Sequence, residues 1–420
     1  MDITRRLHEE CCVAPNGTFS PNYFRTMGYQ RALSEPISIK RAYGIAALFA
    51  ETQPHVYPHD LIVGNTRALY VDIDEQAQAQ VDRIASEVGE RCFITNKDHF
   101  SPDYERIVAR GVSGMIEDIN RSLERYSDNA DKCATLRSMH MAMSAFRQMI
   151  RHYRDAAAAR IGAADYDDDR LRFIIGNCDI LLAGAPTTFA SALQLVWLCH
   201  TAFLMEERMA MALGRMDQYL YPFYRQDIAR GVLTDEIATV LLENVFIKIA
   251  WGDTVNICIG GQDAEGRCQV NELSYCVMNA VKNCNIPGPN LSARITADTP
   301  DEFLRECLRS IGTGLGYPAL MNDEVNIAAL SKIGYGTQDI YNYSMVGCIE
   351  NFITGMQPPW TDSRFNAPRY FEYVFNASDE HPDTVRVEDI TDMAGFMRSF
   401  ERQLAYGAAD YMTRFYADNE

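Results

Sequence analysis

The sequence of 420 residues predicts an α/β fold in which parallel strands are joined by helical crossovers. The apolar period is helical between about residues 100 and 250, and short apolar runs alternate with helical windows after residue 250. About five strands can be counted, including one near Leu61, which is too few to close a barrel alone. No repeat or flexible linker divides the chain, so residues 1–420 are expected to form a single domain.

The helical half of the sequence contains long amphipathic or apolar windows. A capped, acidic first turn at Thr234-Asp235-Glu236 predicts one helix start, and Thr187 or Thr188, just after Pro186, is the expected N-cap of another. The window after Thr188 is apolar nearly all round, which is typical of a buried helix. The predicted helices cover residues 38–49, 102–123, 139–161, 188–203 and 233–250.

The strand predictions rest on short apolar runs bounded by turn residues. Such runs fit buried parallel strands, and after residue 250 they alternate with helices beginning at Asn271, at Thr299 and near Val325. The predicted strands cover residues 60–65, 255–259, 290–295, 319–322 and 343–349.

Composition and charge exclude several classes of function. The chain is 47% hydrophobic and 23% charged, and it has neither an apolar stretch long enough for a membrane span nor a secretory start. A soluble, cytoplasmic protein without a membrane partner is expected. The net charge of −18 argues against a nucleic-acid partner. The 12 cysteines are scattered without a C-x-x-C motif, so neither zinc nor iron–sulfur spacing is present.

The candidate chemistry lies where an apolar run ends in Gly347-Cys348-Ile349-Glu350. On an extended backbone, residues i and i+2 point to the same face, so Cys348 and Glu350 could reach one substrate together. One group could take a hydrogen atom while the other takes a proton from a neighbouring position. Gly347 would let the backbone bend or be approached closely. By itself, however, the tripeptide more often marks a small buried cysteine followed by a solvated glutamate.

Six further blocks, in order along nearly the whole chain, resemble those of glycyl radical enzymes. The run Gly316-Tyr317-Pro318 and its continuation to Glu324 resembles the segment that precedes the radical cysteine in that family. The six blocks are residues 60–65, 214–222, 260–266, 271–274, 289–300 and 316–324.

This resemblance implies a ten-stranded α/β barrel built from two five-stranded half-barrels and surrounded by helices. It also implies that Cys348 is the radical cysteine, on a loop inside the barrel, and that Glu350 is its partner acid or base. In the family, a glycyl radical on a second loop converts the cysteine to a thiyl, which abstracts hydrogen from the substrate and later returns it. A radical-SAM activase with a [4Fe-4S] cluster installs the glycyl radical.

The sequence departs from the family pattern after the cysteine. Only 72 residues follow Cys348, and no Arg-Val-x-Gly-Tyr-like motif occurs. We therefore expect half of the barrel here, about five strands, with the C-terminal glycyl radical domain absent and no metal or cofactor bound by this chain. A second chain would then supply the other half-barrel and the glycyl radical in trans. Truncation of a longer chain is the alternative.

Two further residues resemble functional positions of the dehydratases of the family. His99, just before a helix, and Asp362, after the cysteine, are predicted to bind substrate or transfer protons. Each has a structural alternative, because His99 could be a capping or surface residue and Asp362 could cap a helix near Ser363. Asp217 is expected in an internal ion pair, and Asp323 with Glu324 is expected to cap a helix.

The predicted function is therefore the thiyl-bearing subunit of a split glycyl radical lyase that eliminates water from a small hydroxylated substrate. The alternatives within enzymes are cleavage of a C–C, C–N or C–S bond, or acyl transfer. Acyl transfer is disfavoured because pyruvate formate-lyase-like members carry two adjacent cysteines, whereas Gly347 and Ile349 flank Cys348. A catalytically silent scaffold subunit is the alternative from another class.

Overall fold

The computed structural model describes residues 2–93, 99–249, 254–359, 365–375 and 387–419. Contacts divide the chain into two compact units, Met1–Trp360 and Thr361–Glu420. In the larger unit the helices are α1 (Asp2–Cys12), α2 (Pro21–Tyr29), α3 (Ile37–Ala50), α4 (Glu75–Val88), α5 (Tyr104–Arg125), α6 (Ala130–Ala158), α7 (Asp168–Ala183), α8 (Phe189–Met205), α9 (Met216–Tyr219), α10 (Tyr221–Ala229), α11 (Asp235–Ile249), α12 (Glu272–Cys284), α13 (Asp301–Ser310), α14 (Asp323–Ile333) and α15 (Thr337–Tyr341). Its strands are β1 (Thr18–Phe19), β2 (Tyr70–Val71), β3 (Ala212–Gly214), β4 (Asn256–Gly260), β5 (Asn290–Ile295), β6 (Ala319–Asn322), β7 (Tyr343–Val346) and β8 (Glu350–Ile353).

The predicted helices are confirmed, four of them to within about two residues at either end. Thr188 is the N-cap of α8, where its hydroxyl accepts from the backbone of Ser191 and the serine hydroxyl accepts in return. The helix predicted over residues 139–161 begins earlier, because Asn129 caps α6 by accepting from the Lys132 amide at 2.9 Å. The first turns of α6 are largely exposed and polar, and they therefore lack the apolar period by which the prediction was made.

The main core lies among the long helices, with α8 buried on nearly every side. Trp197 of α8 and Tyr104 of α5 are among its largest buried side chains. A helix that is apolar all round gains stability only when other elements cover it completely, which is the arrangement observed here.

The strand predicted over residues 60–65 is wrong. This segment is buried at Ile62 and Val63, but its backbone bonds to helix side chains and not to a neighbouring strand. Gln194 of α8 bonds to both the amide and the carbonyl of Val63, at 2.9 and 2.7 Å, and the Asn244 side chain of α11 accepts from two further amides. Buried amides need partners, and here side-chain amides satisfy the requirement that a strand partner would otherwise meet.

Within the described residues, four consecutive strands form a parallel sheet in the order β3-β4-β5-β6. Helices α9 to α11, then α12, then α13 connect successive strands, which confirms the predicted parallel crossovers between residues 255 and 322. The strand predicted over residues 343–349 ends at Val346 and pairs antiparallel with β8, so it does not extend this parallel sheet. Strand β3 was not predicted, because its three residues are too short to leave a periodic signal. In the described part of the chain β6 pairs only with β5, so its other edge is open.

Strands β7 and β8 form an antiparallel hairpin, with Val346 opposite Glu350. All four residues of β7 are buried, and the strand packs against β3 and β4. Cys258 of the sheet contacts the same small apolar cluster as Met345 and Ile353. Buried side chains thus hold the hairpin on the sheet, while the hydrogen bonds of its own ladder join β7 to β8.

The smaller unit contains α16 (Ala367–Phe375) and α17 (Met393–Asn419), which pack on each other. Phe371 contacts Phe396 and Phe400 through ring centroids 5.0 and 5.7 Å apart. Aromatic pairs of this geometry contribute beyond the area they bury. Among the described helices of either unit, none combines the length and apolar character that a bilayer crossing requires.

Candidate active site

Cys348 lies at the tip of the β7–β8 hairpin, in the three-residue loop Gly347-Cys348-Ile349, and it is exposed. The prediction that Cys348 and Glu350 share one face of an extended strand is therefore wrong in its geometry. The chain reverses at Gly347, whose φ of +56° lies in the left-handed region, and Glu350 begins the returning strand. The carboxylate of Glu350 accepts from the Ile349 amide at 3.1 Å, which folds it back towards the loop.

The side chains of His99 and Glu350 both lie close to Gly347, the first residue of this loop. A Cβ placed on Gly347 would lie 2.5 Å from Glu350 Oε2 and 2.7 Å from His99 Nε2. Both distances are far shorter than a carbon contact allows, so only glycine fits between the imidazole and the carboxylate. The structure therefore brings three of the predicted site residues, Cys348, Glu350 and His99, to one end of the hairpin.

His99 does not cap a helix. Asp103 is the N-cap of α5 and accepts from the Arg106 amide at 2.9 Å. His99 lies at the start of a short extended segment beside β3, where the Phe100 carbonyl accepts from the Ala212 amide at 3.0 Å. This segment delivers the imidazole to the hairpin tip. Asp362, the fourth predicted residue, lies outside the described residues.

Strand β7 runs antiparallel to the strands of the parallel sheet, so the tip of the hairpin lies near the residues where β3 and β4 begin. At its tip, Gly347 bonds to Ala210, just before β3, and to Asn256, the first residue of β4. At its base, Arg215 links the Tyr341 carbonyl to that of Gly260, the last residue of β4. The candidate site therefore lies at the amino ends of the strands, whereas open parallel sheets usually bind ligands at the carboxyl ends.

A cleft does lie at the carboxyl ends, at the base of the hairpin. Its volume is about 490 Å³, and Arg215, Gln218, Asn342 and Thr354 are among its lining residues. It is on the opposite end of β7 from Cys348, so the clustered site residues do not face it.

A buried ion pair supports the base of the hairpin. Arg294 and Asp323 are both fully buried, with two N–H donors of Arg294 lying 2.7 and 2.8 Å from the two carboxylate oxygens. Burial opposes the charge on Arg294, but the hydrogen bonds and charge of Asp323 outweigh it, and the pKa of Arg294 is raised. The expectation that Asp323 caps a helix is wrong, because the cap of α14 is Asn322, which accepts from Val325.

Tyr343, the first residue of β7, completes this network. Its hydroxyl donates to Asp323 Oδ1 at 2.6 Å, and its carbonyl accepts from Arg294 at 3.0 Å. Arg294 also lies over the tyrosine ring, 4.0 Å from its centroid. Burial is the main cause that raises the pKa of Tyr343, so the neutral hydroxyl remains a donor. Sequence reasoning missed this cluster, although an arginine inside the apolar run 290–295 was a signal for a buried partner.

Asp217 and Arg215 form a second buried polar layer. Asp217 accepts from the Gly260 amide at 2.8 Å and from the Ser274 hydroxyl at 2.6 Å. Burial raises its pKa, and burial together with the charge of Arg294 lowers the pKa of Arg215 to about 10. These contacts tie α9 and α12 to the sheet, so Asp217 has a structural position. The expected ion pair is not observed: among the described residues, Asp217 is held by hydrogen bonds from neutral donors and by no salt bridge.

Removing the acid of the buried pair should destabilise the larger unit strongly. Asp323→Ala would leave Arg294 charged and buried without its partner, and breaking such a pair costs about 3–5 kcal/mol. The midpoint of urea unfolding should fall accordingly. The exposed pair of Arg305 with Asp301 provides the control, because Asp301→Asn should change stability by less than about 1 kcal/mol. Equal shifts in the two variants would contradict the structural importance of the buried pair.

Comparisons with known proteins show which family this chain resembles. The sequence matches the model of the family described as Pyruvate formate lyase-like over residues 72–416. It is 27% identical to (2S)-3-sulfopropanediol dehydratase of Klebsiella oxytoca, a match that covers 76% of this chain and 44% of that one. It is 28% identical to isethionate sulfite-lyase of Bilophila wadsworthia, over 59% of this chain and 33% of that one.

A solved structure shows the same fold. The glycerol-bound B12-independent glycerol dehydratase of Clostridium butyricum superposes with a TM-score of 0.87 at 23% identity, covering 97% of this chain and 62% of that one. The matches cover less than two thirds of each of these relatives, and less than half of the two curated ones. Because the family model matches most of the chain, we conclude that this chain belongs to the pyruvate formate lyase-like family of glycyl radical enzymes.

Proposed function

We propose that this chain is the thiyl-bearing part of a glycyl radical lyase that removes water from a small hydroxylated substrate. The observation that carries the proposal is the convergence of Cys348, Glu350 and His99 around Gly347. A hydrogen-atom carrier and two groups able to move protons are the components that such an elimination requires.

In the proposed reaction, a glycyl radical first removes the thiol hydrogen of Cys348. The resulting thiyl takes a hydrogen atom from the substrate carbon that bears a hydroxyl group, which re-forms the S–H bond and leaves a carbon radical. Glu350, in its carboxylate form, then accepts the hydroxyl proton. Charge that develops on this oxygen weakens the bond between the neighbouring carbon and its leaving group.

The neighbouring hydroxyl leaves with its bonding electron pair and takes up one proton, so that water departs. His99 or Asp362 supplies that proton or donates a hydrogen bond to the leaving oxygen. The remaining carbonyl-bearing radical takes back the hydrogen atom of Cys348, which gives a closed-shell aldehyde or ketone and regenerates the thiyl. Because the radical is returned in each cycle, the thiyl is a catalyst and is not consumed.

We further propose that a second half-barrel, on a partner chain that also carries the glycyl radical loop, pairs with the open edge of β6. Leu320 on this strand is 42% exposed, and Val325 and Ile333 on the following helix are 62% and 70% exposed. Exposed apolar side chains beside an unpaired strand edge favour association. At the hairpin tip, Ile349 is also 59% exposed. A partner that covers this tip would exclude water from the radical site.

Cleavage of a C–S bond is the second candidate, favoured by the similarity to the isethionate sulfite-lyase. The same abstraction of a hydrogen atom by the thiyl would begin this reaction, and sulfite would leave in place of water. The products distinguish the two reactions, because only the second releases sulfite. A silent scaffold subunit would release neither.

Co-expression tests the proposal. This chain is produced without oxygen, alone and together with a chain that carries the glycyl radical motif and with its radical-SAM activase. We expect a stable complex burying at least about 1,000 Å² at the interface, as specific complexes do. A glycyl radical signal by electron paramagnetic resonance should appear only with the partner, and aldehyde should form from glycerol or propane-1,2-diol only in the complex.

Three outcomes would contradict this proposal. A glycyl radical that forms on this chain alone would exclude the split arrangement. Separate elution of the two chains on gel filtration would exclude the partner. A complex that carries the radical but converts no hydroxylated compound, while releasing sulfite from hydroxysulfonates, would replace dehydration by C–S cleavage.

A further inference from the structure

Gly347 is held from both sides at the tip of the hairpin. Its amide donates to the Ala210 carbonyl at 3.0 Å, and its carbonyl accepts from the Asn256 side-chain amide at 2.5 Å. The second bond is made to the peptide group that joins Gly347 to Cys348. Because a peptide group is planar, this hydrogen bond fixes the orientation of the peptide plane that leads into the Cα atom of Cys348.

Asn256 is suited to hold this peptide rigidly. It is fully buried, and its own backbone amide donates to the Met211 carbonyl at 3.1 Å. Its side chain thus bridges the segment before β3, the start of β4 and the cysteine loop. Among the described residues, its Oδ1 atom has no hydrogen-bond partner, which is a costly arrangement in a buried site. An apolar residue would avoid this cost. We therefore attribute the presence of asparagine here to the hydrogen bond that its side-chain NH2 group donates to the Gly347 carbonyl.

The opposite side of Gly347 is also fixed. Ala210 has a φ of +57° and Glu207 a φ of +61°, a conformation that residues with a side chain rarely adopt. We call residues 206–210 the Ala210 turn. Arg25, which is 2% exposed, forms ion pairs with Glu207 at 2.6 Å and with Glu206 at 3.4 Å, and these contacts anchor the turn to α2. Backbone strain of this kind persists only where surrounding contacts enforce it, and it is frequent beside functional groups.

We propose that Asn256 is a positioning residue for Cys348. It clamps the Gly347–Cys348 peptide against the Ala210 turn, so that the thiol approaches the substrate in one orientation and without rearrangement of the loop. The role of this clamp in turnover rests on the proposed radical function, whereas the hydrogen bonds that form the clamp are a property of the folded chain. Hydrogen exchange measures the clamp, and kinetics measure its role in turnover.

Hydrogen exchange of the Gly347 amide tests the clamp. In the wild-type chain this amide should exchange at least about 10³-fold more slowly than in an unstructured peptide, although the next residue is exposed. Asn256→Leu, which preserves volume, and Asn256→Ala should each accelerate its exchange by about tenfold or more, because the facing hydrogen bond is lost. Fast exchange of Gly347 in the wild-type chain would overturn the proposal without any variant.

Asn290 provides the matched control. It lies directly opposite Asn256 in the β4–β5 register, and its side chain accepts from the Tyr317 hydroxyl and not from the hairpin. Asn290→Leu should leave the exchange of Gly347 within about twofold of the wild-type rate. Equal acceleration in the Asn256 and Asn290 variants would reduce Asn256 to a general contributor to sheet stability and would overturn the clamp.

In the active complex, the Asn256 variants should lower kcat by about tenfold or more with little change in KM, because loop orientation affects the reactive geometry and not ground-state binding. An unchanged kcat in a variant whose Gly347 exchange is accelerated would overturn the positioning role. If the wild-type complex has no activity, the proposed function fails, and the exchange experiment still decides whether the clamp exists.

Discussion

In the proposed two-chain enzyme, Cys348→Ser should abolish turnover while the partner chain still acquires its glycyl radical. A serine hydroxyl does not exchange hydrogen atoms with a carbon radical under conditions in which a thiol does, so the radical could not reach the substrate. We expect a loss of at least about 10⁴-fold in kcat, as for removal of an essential covalent participant. The measurements are aldehyde formation and the amplitude of the glycyl radical signal.

Stability should be nearly unaffected by this substitution, because Cys348 is exposed and serine has almost the same volume. Cys12, which is also exposed, provides the matched control, and Cys12→Ser should retain full activity. Substantial activity in the Cys348 variant would remove this residue from the mechanism. Loss of activity in both variants would point to a general sensitivity to thiol loss.

Gly347→Ala should inactivate the proposed enzyme by displacing two candidate site residues at once. The added Cβ would meet Glu350 Oε2 at 2.5 Å and His99 Nε2 at 2.7 Å, so the carboxylate and the imidazole must both move. Displacements of about 1 Å at a reacting centre can lower the rate by about 100-fold. The left-handed backbone adds about 1–2 kcal/mol of strain for any residue other than glycine. We therefore expect kcat to fall by about 100-fold or more.

Gly231 separates these two effects. Its φ of +69° is similar, but nothing lies within 4 Å of a Cβ at this position. Gly231→Ala should therefore show the backbone strain, as a lower midpoint of urea unfolding, with activity preserved below that midpoint. If Gly347→Ala retains activity with a similar loss of stability, the close contact of His99 and Glu350 with this glycine is not required for the reaction.

Local patterns predicted the helices well. The apolar window after Thr188 and the acidic turn at 234–236 specify α8 and α11, because a cap and a periodic face depend on residues that are near in sequence. Strand positions were also predicted where an apolar run ends in turn residues, as at β4 and β5. Segment 60–65 has the same pattern of apolar and turn residues but is not a strand. Its backbone amides form hydrogen bonds with the side chains of Gln194 and Asn244, which lie far away in the sequence.

The candidate site was predicted only in part. Cys348 and Glu350 were found from their tripeptide and its resemblance to a family, and His99 from a similar block, but their mutual arrangement was not. The sequence indicates that the backbone can bend at Gly347, but it does not indicate the tight reversal found there. The supporting contacts of Asn256, Ala210 and Arg25 were not foreseen, since none of them is close to Cys348 in sequence.

The sequence by itself determined the main helices of residues 100–250, the parallel crossovers between residues 255 and 322, and the chemical identity of the candidate reactive groups. Each of these follows from short-range periodicity, capping residues or the functional group of one side chain. Only the tertiary structure decided that the cysteine lies on a hairpin tip at the amino ends of the strands, next to Gly347, which packs between His99 and Glu350. That arrangement depends on hydrogen bonds between residues about 90 to 140 positions apart, such as those from Gly347 to Asn256 and to Ala210, and on the absence of a Cβ at Gly347.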